Sequence, residues 1–398
     1  MYINDIRIRQ IFDSRGEPTI EIELHDKVGF SHRAAVPSGK SRGTREASVF
    51  TFEEATKAVN HIKESITAHD FKSVGEVDAF LLLQDSTPTK EKLGGNVLLG
   101  ISIAAARGFA HTAKKELWEI IREEYFAEIK DTKPPLIFSN FINGGAHANN
   151  NLDIQEFLVI ARTNGSITVT TEKLIELYRV TGNFLKKKYN VKNLPIGDEG
   201  GYSLDFLNNS EPLAMLEASI NENDLGQECM LGLDVAASHF GDKGAYVFEK
   251  KEYTRATLVE LYESYFKKIK LLYSIEDPFG ENDSEGFIAL RKAVPNKIII
   301  GDDLTTTNQA EIEAHTAEGA VNGVIIKPNQ IGTVSETCAA IKAARMHHAQ
   351  IIVSHRSGET EDTFIIHLAK AANADGVKIG APVKERMLKF NELIRLYS

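Results

Sequence analysis

Only two cysteines, Cys229 and Cys338, occur in this 398-residue chain, and neither belongs to a C-x-x-C pair. That excludes a disulfide framework and a zinc ribbon, and both thiols are expected to be buried and free. Long apolar runs are missing as well. No stretch approaches the ~18 uninterrupted apolar residues of a membrane span, and MYINDIRIRQIFDSRG at the N-terminus has no apolar signal region. The chain is therefore expected in the cytoplasm, with no membrane partner. Nor is there an excess of basic charge, since 46 Lys and Arg stand against 56 Asp and Glu, a formal net charge of −10. A nucleic-acid surface needs a net basic face, so nucleic acid is excluded as a partner, whereas a small anionic substrate is allowed if cations are focused locally. Finally, no G-x-G-x-x-G follows a strand-like run, which tells against a dinucleotide-binding sheet.

What is present divides in two. Residues 17 to 36 alternate apolar and polar through PTIEIEL and SHRAAV, the period of half-buried antiparallel strands. Helical spacing follows in FEEATKAVNHIKESITAH, GEVDAFLLLQ and the long stretch from NVLLG to YFAEI. After Pro134-Pro135 the rhythm changes to short β-rich runs, PLIFSNFI, IQEFLVIA, LPIGDEGG, CMLGLDVA, LLYSIEDPF, KIIIGDDL, GVIIKPNQ, QIIVSHRS and GVKIGAP. From CMLGLDVA onward strand and helix are expected to alternate without interruption, as in a parallel barrel with helices outside. The fold class is α/β: a smaller α+β N-terminal domain over residues 1–125, then a TIM-like α/β barrel over residues 126–398. An open doubly wound sheet is the alternative.

In a parallel barrel the C-terminal strand ends form the active-site face. Asp234, Glu276, Asp302, Lys327, His355 with Arg356, and Lys378 end six successive runs. One such residue is often just a helix cap, and Asp303 can be read that way, but six in succession call for a functional reading. Asp234, Glu276 and Asp302 on adjacent strands would repel one another unless a cation sat between them. Hard oxygen donors suit Mg²⁺ rather than zinc. Beside such an ion the Lys327 ammonium would have its pKa lowered, as a general base near neutral pH requires. Glu156 and Glu199 add carboxylates for acid work. His355, Arg356 and Ser357 are the parts of a phosphate site, and Lys378 suits a carboxylate. Together they describe proton abstraction beside a carboxylate.

One stretch needs separate treatment. AAVPSGKS, residues 34–41, comes within one glycine of the phosphate-cradling loop G-x-x-x-x-G-K-[ST]. Such a loop runs directly into a helix, whereas Arg42-Gly43 breaks one here, and the preceding strand belongs to an antiparallel domain. A glycine-hinged lid is left.

Over essentially its whole length the chain resembles the enolase family. The matching segments are FDSRGEPTIEIE, AAVPSGKSRG, INGGAHANNNLDIQEF, GDEGGYS, LGLDVAAS, SIEDPF, GDDLTTTN, IIKPNQIGTVSE, VSHRSGETEDT and KIGAP. The resemblance implies an enolase-type barrel and Mg²⁺-dependent dehydration of 2-phosphoglycerate to phosphoenolpyruvate. It also implies the roles. Asp234, Glu276 and Asp302 would hold a first Mg²⁺, and Ser41 with the substrate phosphate a second. Lys327 would take the C2 proton, and Glu199, supported by Glu156 and Gln155, would help the C3 hydroxyl leave. Arg356 and Ser357 would bind the phosphate, His355 and Lys378 the carboxylate end, and His147 would ride a mobile loop. A homodimer built across the N-terminal domain is implied, with Glu21 and Arg395 at pairing positions. The chain departs from the family in its lid, where Lys40 and Arg42 replace small residues. That departure raises the alternative of a related phosphorylated or phosphonate carboxylate as substrate. A non-catalytic scaffold would show erosion of these residues, and none is eroded.

Overall fold

The first three strands form an antiparallel sheet in the order β1 (Ile3–Phe12), β2 (Pro18–Asp26), β3 (Ser31–Ala35). The computed structural model describes residues 1–40 and 43–398, so Ser41 and Arg42 lie outside the described residues. β1 was not expected, although Ile6 and Ile8 alternate with Arg7 and Arg9 as a half-buried strand should. Ile20, Ile22, Leu24 and Ala34 turn inward. Against them packs α3 (Gly95–Ala113), whose small residues let it lie close to the sheet, after α1 (Phe52–Thr67) and α2 (Val74–Gln84). Thr51 and Glu54 close a capping box at the start of α1. The long helical stretch after residue 95 is broken by Lys114, which adopts φ 54°, and resumes as α4 (Leu117–Tyr125).

The rest is an eight-stranded closed barrel: β4 (Leu136–Asn143), β5 (Glu156–Ala161), β6 (Cys229–Asp234), then, after the intervening small sheet, β10 (Leu272–Glu276), β11 (Ile298–Gly301), β12 (Gly323–Ile326), β13 (Gln350–Ser354) and β14 (Gly376–Lys378), which closes on β4. The expectation of a purely parallel barrel needs correcting, because β5 runs antiparallel to both β4 and β6. No crossover helix carries the chain from β4 to β5, and a parallel pairing would need one. Between β5 and β6 come α5 (Ile167–Tyr189) and α6 (Ser210–Glu222). LPIGDEGG is likewise no barrel strand; it forms isolated bridges between Ile196, Tyr202 and Ile142. The uninterrupted alternation fails once more after β6. A small meander of β7 (Gly241–Asp242), β8 (Ala245–Phe248) and β9 (Lys251–Thr254) precedes α7 (Arg255–Lys268).

The remaining helices α8 (Ser284–Ala293), α9 (Gln309–Ala317), α10 (Pro328–Ile331), α11 (Val334–Met346), α12 (Phe364–Ala372) and α13 (Met387–Tyr397) surround the barrel. Phe138, Leu158, Ile160, Met230, Ile300, Ile325 and Ile352 fill its interior, so the polar groups are confined to the mouth. The N-terminal half is fastened beside that mouth. Ser38 and Gly358 exchange backbone hydrogen bonds of 2.8 and 3.0 Å, and the Ala47 N–H donates to Gln330 at 2.8 Å. Cys229 and Cys338 are buried free thiols. Among the described residues no helix is long and apolar enough to cross a membrane.

Candidate active site

Six parallel strands deliver their C-terminal ends to one rim. Asp234 ends β6, Glu276 ends β10 and Lys378 ends β14, while Asp302, Lys327 and His355 follow β11, β12 and β13 directly. Glu156 reaches the same rim for the opposite reason: it is the first residue of the one reversed strand. Register then sets Asp234 beside Glu156 on one side and beside Glu276 on the other. The Lys378 ammonium bonds this row, at 3.0 Å from Asp234 Oδ2, 2.9 Å from both Glu276 oxygens and 3.3 Å from Glu156 Oε2. All four side chains are almost wholly buried.

A second cation stands on the next strands, where Lys327 bonds Asp302 Oδ2. The other Asp302 oxygen accepts from Gln330 Nε2 at 2.9 Å. Asp277 fixes the turn by accepting the N–H groups of Asp302 and Asp303 at 2.9 and 2.8 Å. Asp277, Asp302 and Asp303 offer oxygens within 4.8 Å of one another. Opposite them, His147, Glu156 and Glu199 form another such group, with His147 Nδ1 3.6 Å from each glutamate. Gln155 Nε2 lies 3.4 Å from Asp234. His147, expected on a mobile loop, is buried in this arrangement.

The anion clamp is assembled from both halves of the chain. Arg356 donates to Glu46 at 3.0 and 3.2 Å and to Asn329 Oδ1 at 3.2 Å. Its carbonyl and that of Ser357 accept from Arg386 at 2.9 and 2.7 Å. The lid backbone lies directly on the guanidinium: a Cβ on Gly39 would fall 1.7 Å from Arg356 Nη2. Lys40 donates its N–H to Ser357 Oγ and its ammonium to Asp198, both at 3.0 Å. These groups frame a small, largely enclosed cavity lined by Lys327, Glu199, Glu156, His355, Arg356 and Lys378 among others. Of the expected residues, Glu276 is tied to Lys378 and does not line the cavity, and Ser41 falls outside the described residues.

The electrostatics are lopsided. Among the described residues, eight carboxylates (Glu46, Glu156, Glu199, Asp234, Glu276, Asp277, Asp302 and Asp303) meet four buried cations, Lys327, Arg356, Lys378 and Arg386. Burial, and then Asp234, push Glu276 well above the usual carboxylate range. Burial and Glu199 do the same to Glu156. Burial would also raise Glu199, but the hydrogen-bonding contact of the uncharged His355 and the Lys378 ammonium draw it below that range, so the proton of the pair sits on Glu156. Burial pushes His355 down to about 3. Asp303 is pushed up to about 7 by burial and by Asp302. Lys327 departs from expectation. Burial lowers it, but the adjoining Asp302 overrides this and holds it above its ordinary value. The expected lowering needs Asp302's charge to be engaged elsewhere.

Buried oxygens in such excess, with Gln155 Oε1 left without a hydrogen-bond partner, fit a hard divalent cation. At present the two lysine ammoniums answer the carboxylates such an ion would take. Glu46, Asp277, Asn329 and Gln330 had not been singled out from the sequence. Asp277 and Gln330 adjoin the expected Glu276 and Lys327 in SIEDPF and IIKPNQ, which was the available signal; Glu46 had none.

Comparison with known proteins agrees with this geometry. Residues 3–121 match the family model for the enolase N-terminal domain, and residues 132–398 match that for the enolase C-terminal TIM barrel domain. The chain is similar to the enolase of Methanocaldococcus jannaschii, at 37% identity over 99% of this chain and 94% of that one. It is also similar to the enolases of Thermococcus kodakarensis, at 38% over 99% and 94%, and Elusimicrobium minutum, at 36% over 99% and 95%. With two domain models together covering nearly its full length and relatives above 30% identity, the chain belongs to the enolase family of lyases.

Proposed function

We propose that this barrel mouth dehydrates 2-phosphoglycerate to phosphoenolpyruvate, with Lys327 as base and the Glu156–Glu199 pair as acid. One observation carries the assignment. Lys327 follows β12 and Glu156 begins β5, and these strands are four apart in either direction around the eight-stranded ring, so base and acid face each other across the cavity. Loss of a C2 proton to one face and of a C3 hydroxyl from the other needs that opposition.

Arg356 and Ser357 bind the phosphate, with Glu46 and Asn329 holding the guanidinium in place. His355 and Lys378 receive the carboxylate, and Gln155 and His147 close the acid side. Asp234, Glu276 and Asp302 would hold one Mg²⁺ and Ser41 a second. Bound there, Mg²⁺ supplies positive charge to the carboxylate oxygens as proton removal builds a second negative charge on that group. Asp302 keeps Lys327 protonated, and were its charge engaged by the ion, Lys327 would lose that partner and could act as a free amine. It then takes the C2 proton, the C3–O bond breaks, and the hydroxyl departs as water with the proton held by the glutamate pair.

Purified protein given 2-phosphoglycerate and Mg²⁺ should develop the ultraviolet absorbance of the enolpyruvate. Lys327→Ala should lower kcat by roughly 10²–10⁴, the usual worth of a positioned base. No turnover over a wide substrate range would overturn the assignment. The alternative substrate rested on Lys40 and Arg42. Lys40 is tied to Asp198, Arg42 lies outside the described residues, and nothing else among the described residues favours it. We further propose a domain boundary between residues 125 and 126, a cytoplasmic location and a homodimer across the N-terminal elements. Glu21 and Arg395 would have to extend or exchange their partners within the chain, Arg9 for the one, Glu116 and Glu392 for the other.

A further inference from the structure

At the end of α3 remote from the mouth, two imidazoles and a carboxylate converge. Asp26 ends β2 and His32 lies in β3. Across this hairpin, Asp26 Oδ2 is 3.1 Å from His32 Nε2. His111, in the last turn of α3, brings a third atom, so that one ligand atom from each residue lies within 4.8 Å of the other two. Asp26 and His32 are buried and His111 is exposed, leaving the group open to solvent on one side.

The parts are held in place before any ligand arrives. Asp26 Oδ1 accepts the N–H groups of Val28 and Phe30 at 2.9 Å each, which fixes the carboxylate with Oδ2 toward His32. The Phe30 ring packs on His111 with centroids 4.3 Å apart, and the two imidazoles are 5.5 Å apart. Gly108, one turn before His111, makes the approach possible, because a Cβ there would lie 3.1 Å from His32 Cδ2 and 2.1 Å from Met1 Sδ. Glycine is unfavourable inside a helix, so a packing reason is expected for it. Here the reason is chiefly the Met1 thioether lying against bare backbone, with the His32 ring close beside it.

A tetrahedral ion with bonds of about 2.0–2.1 Å separates neighbouring ligand atoms by about 3.3 Å. The Asp26–His32 edge, at 3.1 Å, is close to this length, and the exposed His111, with its ligand atom within 4.8 Å of both, is free to turn toward them. The C-terminal end of α3 adds the negative pole of a 19-residue helix. Two imidazoles with one carboxylate select zinc-like ions and not Mg²⁺, which demands oxygen. We propose that Asp26, His32 and His111 form a binding site for a divalent transition-metal ion of the zinc class, clamping the β2–β3 hairpin to α3.

The test is Zn²⁺ uptake by the full-length protein kept in excess Mg²⁺, compared between the parent and His111→Ala by equilibrium dialysis. His111 is exposed, so its removal leaves the fold intact, and unchanged turnover in Mg²⁺ alone checks this. The parent should bind one more Zn²⁺ per chain than the variant, or bind it at least about tenfold more tightly, and Zn²⁺ should raise the melting temperature of the parent alone. His32→Gln should repeat the loss. Equal uptake by parent and His111→Ala, or no uptake by the parent, would overturn the site.

Discussion

Asp303 is a residue whose charge the fold suppresses, and that makes it a measurable probe of the mouth. Unfolded, its carboxyl titrates near 3.8; folded, burial and the neighbouring Asp302 push it up to about 7. Between these values the folded protein holds a proton that the unfolded chain has lost, so this group's contribution to stability is most favourable below about pH 3.8 and falls as pH rises to about 7. Asp303→Asn removes this dependence. Urea unfolding in chelator should show the variant gaining on the parent between pH 4 and pH 7, by up to about 4 kcal/mol. A gap that stays flat with pH would mean that Asp303 is ionised throughout. Glu46 makes a different residue-scale case. Its buried bidentate contact fixes Arg356. Glu46→Gln should therefore raise KM for 2-phosphoglycerate by about tenfold, roughly 1.4 kcal/mol, with a smaller change in kcat. An unchanged KM would show that Arg356 holds its position without help.

Among elements, the lid segment and the reversed strand decide most. Gly39 lies so close to Arg356 that any side chain must displace either the loop or the guanidinium. Gly39→Ala should thus raise KM sharply while leaving the melting temperature near that of the parent, since the segment carries little of the core; normal kinetics would show that the loop can lift without cost. The same two elements mark where sequence reasoning succeeded and where it stopped. Barrel strands announce themselves as short apolar runs, and a polar residue closing each run points at the rim, so Asp234, Glu276, Lys327 and Lys378 were legible. Direction is not written in such a run. Glu156 was placed across the mouth, yet the physical reason, that β5 is antiparallel, lies in the missing crossover between β4 and β5. Glycine-flanked LPIGDEGG carries apolar residues without pairing partners, and its strand-like look misled. Glu46 was illegible because its significance is a contact 310 residues away along the chain, which no local pattern records.

At the scale of the whole molecule, the anion clamp depends on the N-terminal elements being held on the barrel, and beside Glu46–Arg356 a second, partly buried ion pair spans that junction. Arg107 of α3 grips Asp362 with two bonds of 2.7 Å, and Asp362 also accepts the N–H of Ala35, where β3 leads into the lid. Burial would raise Asp362, but Arg107 holds it below its usual 3.8. Folding therefore favours the ionised form; the stabilisation is complete above about pH 3.8 and is lost as pH falls through the lower folded value. Asp362→Asn leaves the guanidinium without its counter-charge. Breaking a fully buried pair costs about 3–5 kcal/mol, and the partial exposure of Arg107 puts the expected loss near the lower figure. Because the loss falls on the junction and on the strand feeding the lid, it should appear twice: as a lower unfolding free energy at pH 7, and as a higher KM for 2-phosphoglycerate. As pH falls through that lower folded value the parent and variant should converge in stability, since the parent's carboxyl is then neutral as well. A variant that is destabilised but binds substrate normally would separate the two functions and show that the lid is positioned by its contacts with Asp198, Ser357 and Gly358 without this pair.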